Sequence, residues 1–167
     1  MTGAWAPGRI VLPKLSVGMT MNSSPEGSGA LPEVVVLFCQ RCVRRPEVRG
    51  DVCRETPACR VRLVMLPCSS KIESVHVLKL LEKGAEAVEI VACPEERCRL
   101  LVGNFKAEKR IQYARRLLEE IRYGSQRVGM TRGTDFSEAG LIELATRRLQ
   151  EVRQAAADSV PAAGQTG

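Results

Sequence analysis

The stretch AVEIVACPEERCRLLVGNFKAEKR, residues 87–110, places two cysteines between an apolar run and a basic segment. The run AVEIVA (87–92) is short, apolar and partly β-branched, which is typical of a buried strand. The basic segment continues with apolar residues at helical spacing until Gly124, a residue that commonly ends a helix. The stretch therefore predicts a strand, a loop and a helix in succession, with Cys93 and Cys98 in the loop.

The same alternation of strand and helix runs through much of the chain. Three further apolar runs predict strands, namely EVVVLF (33–38), VRLVML (61–66) and the weaker QRVGMT (126–131). Helical spacing of apolar residues predicts helices over residues 70–83, 105–123 and 137–153. Because strands that alternate with helices are typical of α/β folds, we predict a small parallel sheet of about four strands flanked by helices, flavodoxin- or Rossmann-like. The Arg- and Pro-rich link over residues 43–60 is expected to be mostly loop.

Local signals mark the ends and the buried faces of the predicted helices. Ser70 followed by Glu73 is a capping-box pattern for the first helix, and Gly84 is its stop signal. The third helix is expected to start at Ser137. The apolar residues expected to face the sheet are Ile72, Val75, Leu78 and Leu81, then Ile111, Ala114, Leu117, Leu118 and Ile121, then Leu141, Leu144, Ala145, Leu149 and Val152.

The length and the two ends of the chain predict one folded domain. The 167 residues are enough for a single domain with a core of its own. Residues 1–31 are rich in Gly, Ser and Pro without any period, which predicts a flexible leader, and residues 155–167 predict a flexible tail. The folded domain is then expected over residues 32–154.

Composition excludes several classes of protein. The net charge of +6 is a modest excess, and an aromatic content of 4% argues against a platform on which nucleic-acid bases stack. No apolar run approaches the ~20 residues of a membrane helix. Pro13 and Lys14 interrupt the short apolar part of the N-terminus, which makes it a poor signal peptide. We predict a cytoplasmic protein with no membrane span and no nucleic-acid partner, whose cysteines are reduced thiols, metal ligands or redox groups.

Cysteines follow three of the predicted strands. Cys39, Cys68 and Cys93 come at or just after the strand ends, and Cys42 and Cys98 lie in the loops beyond. Since parallel strands end at one edge of a sheet, where α/β folds bind ligands, these thiols are expected to converge. Thiolates bind zinc or iron–sulfur clusters, and the position of the site on a sheet that already has a core favours a redox role. The single histidine, His76, lies in mid-helix and is not expected to be a ligand.

Three motifs resemble those of the delta subunit of methyl-viologen-reducing hydrogenase. They are CQRC (39–42), CSSKIES (68–74) and CPEERCRLLVGNFKAEKR (93–110), and the resemblance covers residues 33–152. The third motif is the most specific, because five of its residues fall in register with both cysteines, namely Gly103, Asn104, Lys106, Ala107 and Arg110. The sequence departs from the family pattern at Arg41 and Val43, at Ser70-Lys71 in place of Gly-Arg, and in the loop 94–97.

The resemblance implies a small electron carrier that holds a 2Fe–2S cluster. Such a carrier relays electrons between a hydrogenase or another dehydrogenase and a flavoprotein of the heterodisulfide reductase A type. Its implied ligands are Cys39, Cys42, Cys68, Cys93 and Cys98; a cluster needs four, so that one of the five, Cys39 or Cys42, would lie beside it.

The start of the helix after Cys98 is expected to contribute to the same site. Gly103 and Asn104 are expected to form the turn that starts this helix, with its amides near Cys98. Lys106 and Arg110 would add positive charge, or would be part of a solvated helix face.

Two other readings of the cysteines stay open. A zinc-stabilised binding module would use the same thiols, and a thiol–disulfide oxidoreductase would use Cys39-Gln-Arg-Cys42 alone. Cys53 and Cys59 lie outside the pattern and are expected to be ordinary thiols. The chain shows no phosphate-binding loop and no nucleophile–base pair, so no catalytic site of its own is expected.

Overall fold

The computed structural model describes residues 31–44 and 50–158. Nearly all of the predicted leader and most of the predicted tail lie outside the described residues. The strands are β1 (Glu33–Cys39), β2 (Asp51–Glu55), β3 (Arg60–Leu66), β4 (Ala85–Ala92) and β5 (Val128–Arg132), and the α-helices are α1 (Ser74–Glu82), α2 (Gly103–Glu120) and α3 (Glu138–Asp158). Among these helices, none combines the length and the apolar character that a membrane crossing requires.

One sheet of five strands forms the centre of the fold, in the order β2-β3-β1-β4-β5. Strands β1, β3, β4 and β5 are parallel to one another, which confirms the predicted α/β class and parallel sheet. The strand count differs from the prediction of about four, because β2 lies in the link that was expected to be mostly loop. This strand is antiparallel to β3 and mostly exposed, so it carries no apolar run that would reveal it.

The order of the parallel strands creates a crevice at one place on the sheet edge. The chain leaves β1 towards β3 on one side and leaves β4 towards β5 on the other, although β1 and β4 are neighbours. This is the order of flavodoxin-like sheets, in which ligands bind where adjacent strands send their connections in opposite directions. The crevice therefore lies beyond the ends of β1 and β4.

Helices cover both faces of the sheet. On one face, the core around Val34, Val36 and Phe38 packs against α3. On the other, the core around Val35 and Leu37 packs against α1 and α2. Strand β1 is thus buried on both sides, which explains why its sequence is a continuous apolar run rather than an alternating one.

The first helix begins later than predicted, at Ser74. Residues Ser69–Lys71 form a separate 3₁₀ turn, so Ser70 does not cap the helix. Instead Glu73 is the N-cap, and a capping box joins it to His76, whose Nδ1 accepts a hydrogen bond from the Glu73 N–H at 3.2 Å. The histidine therefore has a structural role at the start of α1.

The predicted helix faces are largely those that the structure buries. All five predicted residues of α3 are buried, and Ser137 caps this helix by accepting a hydrogen bond from the Gly140 N–H at 3.1 Å. Helix α3 continues to Asp158, beyond its predicted end at residue 153. Ile121 and Val75 were expected to be buried but are 70% and 50% exposed. Ile121 directly follows the last residue of α2.

A buried ion pair crosses from the sheet to α3. Glu89, in the middle of β4, is fully buried, and its Oε2 accepts a hydrogen bond from Arg148 Nε at 2.6 Å. Thr131 donates to the other carboxylate oxygen at 2.7 Å. A Cβ atom on Gly129 would collide with both charged groups, so the glycine leaves the space that they occupy. The apolar pattern of β4 did not predict that Glu89 is buried or that it pairs with Arg148.

Candidate metal centre

Three buried thiols meet in the crevice beyond β1 and β4. Cys39 is the last residue of β1, Cys42 ends the 3₁₀ turn that follows, and Cys93 comes directly after β4. Their sulfur atoms all lie within 4.8 Å of one another. The Sγ atom of Cys93 is 3.6 Å from that of Cys39 and 3.8 Å from that of Cys42. We call these three residues the thiol triad.

The turn that follows β1 places the side chain of Cys42 in the core. A 3₁₀ turn spans Gln40–Cys42, and the Cys42 carbonyl accepts a hydrogen bond from the Phe136 N–H at 2.9 Å. The thiol of Cys42 is fully buried, 3.7 Å from the Val91 carbonyl oxygen. The segment before α3 thus holds the far end of the Cys-x-x-Cys motif in place.

The other two candidate cysteines lie on either side of Gly103. A Cβ atom on this glycine would lie 3.0 Å from the Cys68 sulfur and 3.3 Å from the Cys98 sulfur. The first residue of α2 can therefore approach both sulfurs only because it has no side chain. Cys68 borders the thiol triad, since the Cys39 sulfur is 3.9 Å from the carbonyl oxygen of Pro67.

The sulfur of Cys68 accepts two hydrogen bonds from Ser70. The Ser70 hydroxyl lies 3.2 Å from the sulfur and the Ser70 N–H nitrogen 3.5 Å from it. Donors placed in this way can also hydrogen-bond a metal-bound sulfur. The sequence showed Ser70 only as a helix cap; a serine two residues after a cysteine is the signal that could have indicated the contact.

Arg110 fixes the loop that carries Cys68. Its Nη1 donates to the carbonyl oxygens of Ser70 at 2.7 Å and Ile72 at 3.1 Å, and its Nη2 is 2.9 Å from a carboxylate oxygen of Glu73. The guanidinium therefore holds the backbone beside the sulfur instead of touching the sulfur itself.

Asn104 and Lys106 occupy contrasting positions in the first turn of α2. Asn104 is fully buried, and its Nδ2 donates to the Cys93 carbonyl at 3.3 Å while its Oδ1 accepts from the Phe105 N–H at 2.9 Å. Lys106 is exposed and makes no ion pair with the described residues. Of the four residues predicted in this segment, Gly103, Asn104 and Arg110 shape the cysteine loops, and Lys106 lies at the surface.

The three thiols of the triad differ in pKa because they are buried in contact with one another. The hydrogen bond from the Cys42 thiol, followed by the backbone N–H of Arg41, lowers the pKa of Cys39 to about 5 against the opposing effect of burial. The same hydrogen bond and burial raise the pKa of Cys42. Burial, and then repulsion from Cys39, raise the pKa of Cys93 to about 11. The three thiols are therefore unequal, and Cys39 is the one that loses its proton most readily.

The donor set is all sulfur, which fits a soft or borderline metal centre. Thiolates suit zinc and iron–sulfur clusters, and the single histidine is engaged in capping α1. Cys53 is exposed on β2, and Cys59 is buried before β3 with its sulfur 3.5 Å from the Thr56 hydroxyl. Neither belongs to the thiol triad.

Comparison with known proteins gives a consistent result over nearly the whole described chain. The family described as "Methyl-viologen-reducing hydrogenase, delta subunit" matches residues 34–155. A vhu iron–sulfur subunit of the F420-non-reducing hydrogenase of Methanocaldococcus jannaschii is 35% identical over 99 residues, which are 58% of this chain and 73% of the relative. The protein of the same name from Methanopyrus kandleri is 35% identical over 97 residues, 57% of this chain and 73% of the relative.

A different kind of protein contains a related segment. The A-type subunit of the ferredoxin:CoB-CoM heterodisulfide reductase of Methanosarcina mazei is 29% identical over 90 residues. These residues are 54% of this chain but only 11% of that protein. A segment similar to this chain is therefore part of a much longer polypeptide there.

Proposed function

The chain belongs to the methyl-viologen-reducing hydrogenase delta subunit family, and from this membership we propose that it is an electron-transfer protein that holds a 2Fe–2S cluster. One observation carries the proposal: the thiol triad lies in the crevice between β1 and β4, with Cys68 and Cys98 bordering it at Gly103. A 2Fe–2S cluster bound there would accept and release one electron at a potential set by charge, burial and hydrogen bonds to sulfur.

We propose which four of the five cysteines are ligands, using the neighbours of Cys39 and Cys42 as support. The Cys39 sulfur points towards Pro67 and hence towards the Cys68 loop, whereas the Cys42 sulfur points towards Val91, deeper in the sheet core. We therefore assign Cys39, Cys68, Cys93 and Cys98 as ligands, and Cys42 as a thiol packed behind them.

The remaining residues of the site hold the loops that carry the proposed ligands. Gly103 allows the N-terminal turn of α2 to approach two sulfurs, and the positive end of the helix favours negative charge there. Asn104 ties this turn to the backbone of Cys93. Arg110 holds the Cys68 loop, and Ser70 donates a hydrogen bond to the Cys68 sulfur. Ligands held in this way would move little when the centre gains or loses an electron. Small movements of this kind favour fast electron transfer.

The proposed partners follow from the relatives. Curated relatives are named as hydrogenase iron–sulfur subunits, and a related segment occurs in a heterodisulfide reductase. We propose that the chain passes electrons between a hydrogenase or another dehydrogenase and a flavoprotein of the heterodisulfide reductase A type. We place this activity in the cytoplasm, where thiols stay reduced, and assign it to the domain over residues 32–154.

The alternative uses of the cysteines receive less support from the geometry. A thiol–disulfide oxidoreductase of the thioredoxin type has a helix that starts within its Cys-x-x-Cys motif, whereas here a three-residue 3₁₀ turn ends at Cys42. A zinc module would use the thiols without needing a position in a ligand-binding crevice. Thiol chemistry alone does not separate zinc from iron, so the metal must be identified.

Metal analysis with electron paramagnetic resonance tests the proposed function. The full chain is produced with iron supplied, purified without oxygen, and assayed for iron, zinc and acid-labile sulfide. We expect two irons and two sulfides per chain, visible absorption bands, and a resonance signal after one-electron reduction. A colourless protein with one zinc would support the binding module instead, and a metal-free protein with a Cys39–Cys42 disulfide would support the oxidoreductase.

A further inference from the structure

An apolar patch is exposed directly beside the candidate metal centre. It comprises Leu100, Leu101, Val102 and Phe105, which are 53%, 78%, 50% and 39% exposed. We call these residues the Leu101 patch. A single exposed leucine needs no explanation, but three consecutive large apolar residues and a neighbouring aromatic ring, all in solvent, are unusual for a folded domain.

The backbone holds Leu101 outward in a conformation that leucine rarely adopts. Its φ angle is 54°, in the left-handed region, and its N–H donates to the Cys98 carbonyl at 2.9 Å. This conformation is unfavourable for a residue with a side chain, because its Cβ atom approaches the following carbonyl oxygen. The most exposed leucine of the patch is therefore held by a strained turn, and strain of this kind is concentrated at functional sites.

The patch is part of the segment that links Cys98 to Gly103. Cys98 is two residues before Leu100, and Gly103, which faces the sulfurs of Cys68 and Cys98, directly follows Val102. A protein that covered the patch would therefore lie against the segment that carries Cys98 and Gly103.

The rim of the patch is positively charged. Arg99 and Lys106, which adjoin patch residues in the sequence, are exposed and make no ion pair within the described residues. Two nearby carboxylates, Glu95 and Glu108, are neutralised by Arg132, whose guanidinium also lies 5.4 Å from the centre of the Phe105 ring. Glu96 is the exposed acid in this segment, and the unpaired basic residues outnumber it. The complementary surface is an apolar recess bordered by carboxylates.

We propose that the Leu101 patch is the docking surface for the heterodisulfide reductase A-type flavoprotein, which would present such a recess. This inference rests on the proposed function and names the surface that it uses. This partner is favoured over the hydrogenase because a segment related to this chain forms part of the A-type heterodisulfide reductase protein of Methanosarcina mazei. In the docked complex, one electron leaves the reduced centre and reduces the flavoprotein by one electron; no bond forms and no proton moves.

A matched pair of variants tests the docking surface. Leu101→Asn removes the apolar side chain while keeping a residue that tolerates the left-handed conformation. Ile121→Asn makes the same change at a residue of similar exposure, 70%, at the other end of α2. Binding of each full-length, iron-loaded variant to the flavoprotein of the same organism is measured by biolayer interferometry. We expect Leu101→Asn to weaken binding about tenfold or more, and Ile121→Asn to leave it within about twofold of the unaltered chain.

A second pair tests the rim. Arg99→Glu is expected to slow association about tenfold and to weaken its salt dependence, whereas Arg153→Glu, on α3, leaves both unchanged.

Unaltered affinity of Leu101→Asn would overturn the docking surface. So would a dimer of the unaltered chain that Leu101→Asn dissociates, because the patch would then bind a second copy. The resonance signal is recorded for every variant; its absence from the unaltered chain would refute the cluster instead, independently of the binding comparison.

Discussion

The hydroxyl group of Ser70 donates a hydrogen bond to the sulfur of Cys68 over 3.2 Å. The two residues are held in this relation by the 3₁₀ turn Ser69–Lys71 and by Arg110, which binds the Ser70 carbonyl. A donor aimed at a ligand sulfur stabilises negative charge on that sulfur. The hydroxyl should therefore stabilise the reduced form of a bound cluster more than the oxidised form.

Removing this hydroxyl should lower the reduction potential. For Ser70→Ala we expect a shift of about −60 mV, which is a tenfold change in the equilibrium constant for one electron. Ser70→Thr retains a hydroxyl and should restore most of the potential, and Ser125→Ala, far from the sulfurs, should not change it. A redox titration followed by resonance spectroscopy gives the values. Equal potentials for Ser70→Ala and the unaltered chain would show that the bond has no influence on the centre.

Serine substitution should separate the four assigned ligands from the fifth thiol. We expect Cys93→Ser and Cys98→Ser to lose most of their iron, because each removes a ligand, whereas Cys42→Ser keeps its iron and its visible bands. Cys59→Ser is a matched control, since Cys59 is as fully buried as Cys42 but does not belong to the thiol triad. Iron and sulfide content per chain is the measurement. Loss of iron in Cys42→Ser together with its retention in Cys39→Ser would reverse the assignment of these two residues.

A methyl group at Gly103 should disturb both neighbouring sulfurs. Gly103→Ala places a carbon 3.0 Å from the Cys68 sulfur and 3.3 Å from the Cys98 sulfur, closer than ordinary contact. We expect a several-fold lower yield of loaded protein, measured as iron per chain. Gly140→Ala, whose Cβ has its nearest neighbour 3.5 Å away, should load normally. Normal loading of Gly103→Ala would mean that the sulfurs move aside freely.

The buried ion pair should matter for stability and not for the metal. Arg148→Met leaves the Glu89 carboxylate buried without its charged partner, which should cost about 3–5 kcal/mol of unfolding free energy. The double variant Glu89→Leu/Arg148→Met should recover most of this loss, because an apolar pair needs no compensation. Urea denaturation of the metal-free proteins measures both. A single variant as stable as the double variant would show that Glu89 finds another partner.

The architecture of the sheet could be predicted because most of its strands and helices have a recognisable pattern of apolar residues within their own sequence. Runs such as residues 33–38 and 61–66 are continuous apolar segments, and α3 carries its apolar face at strict helical spacing. Strand β2 could not be predicted in this way, since its polar residues are stabilised mainly by pairing with β3 and by contacts such as the one between Arg62 and Asp51. Only the position of β3 in space makes this segment a strand.

Prediction of the candidate site had a similar limit. The convergence of Cys39 and Cys93 follows from parallel strands that end at one edge, and the structure places their sulfurs 3.6 Å apart. The contact of Ser70 with Cys68 depends on where α1 starts. The sequence predicted Ser70 as the N-cap, but Glu73 is the N-cap in the structure and α1 starts at Ser74, which leaves Ser70 free to contact the sulfur. The outward position of Leu101 depends on one backbone angle, which apolar periodicity does not report.

The parallel pairing of β1 with β4 has a consequence for how the protein matures. Cys39 and Cys93 are 54 positions apart, and their sulfurs meet only once these two strands are side by side. No short peptide from this chain could therefore collect the metal first and fold around it, as a zinc finger does. The proposed cluster would therefore enter a polypeptide in which β1 and β4 are already paired, and its removal with a chelator should leave the folded polypeptide intact.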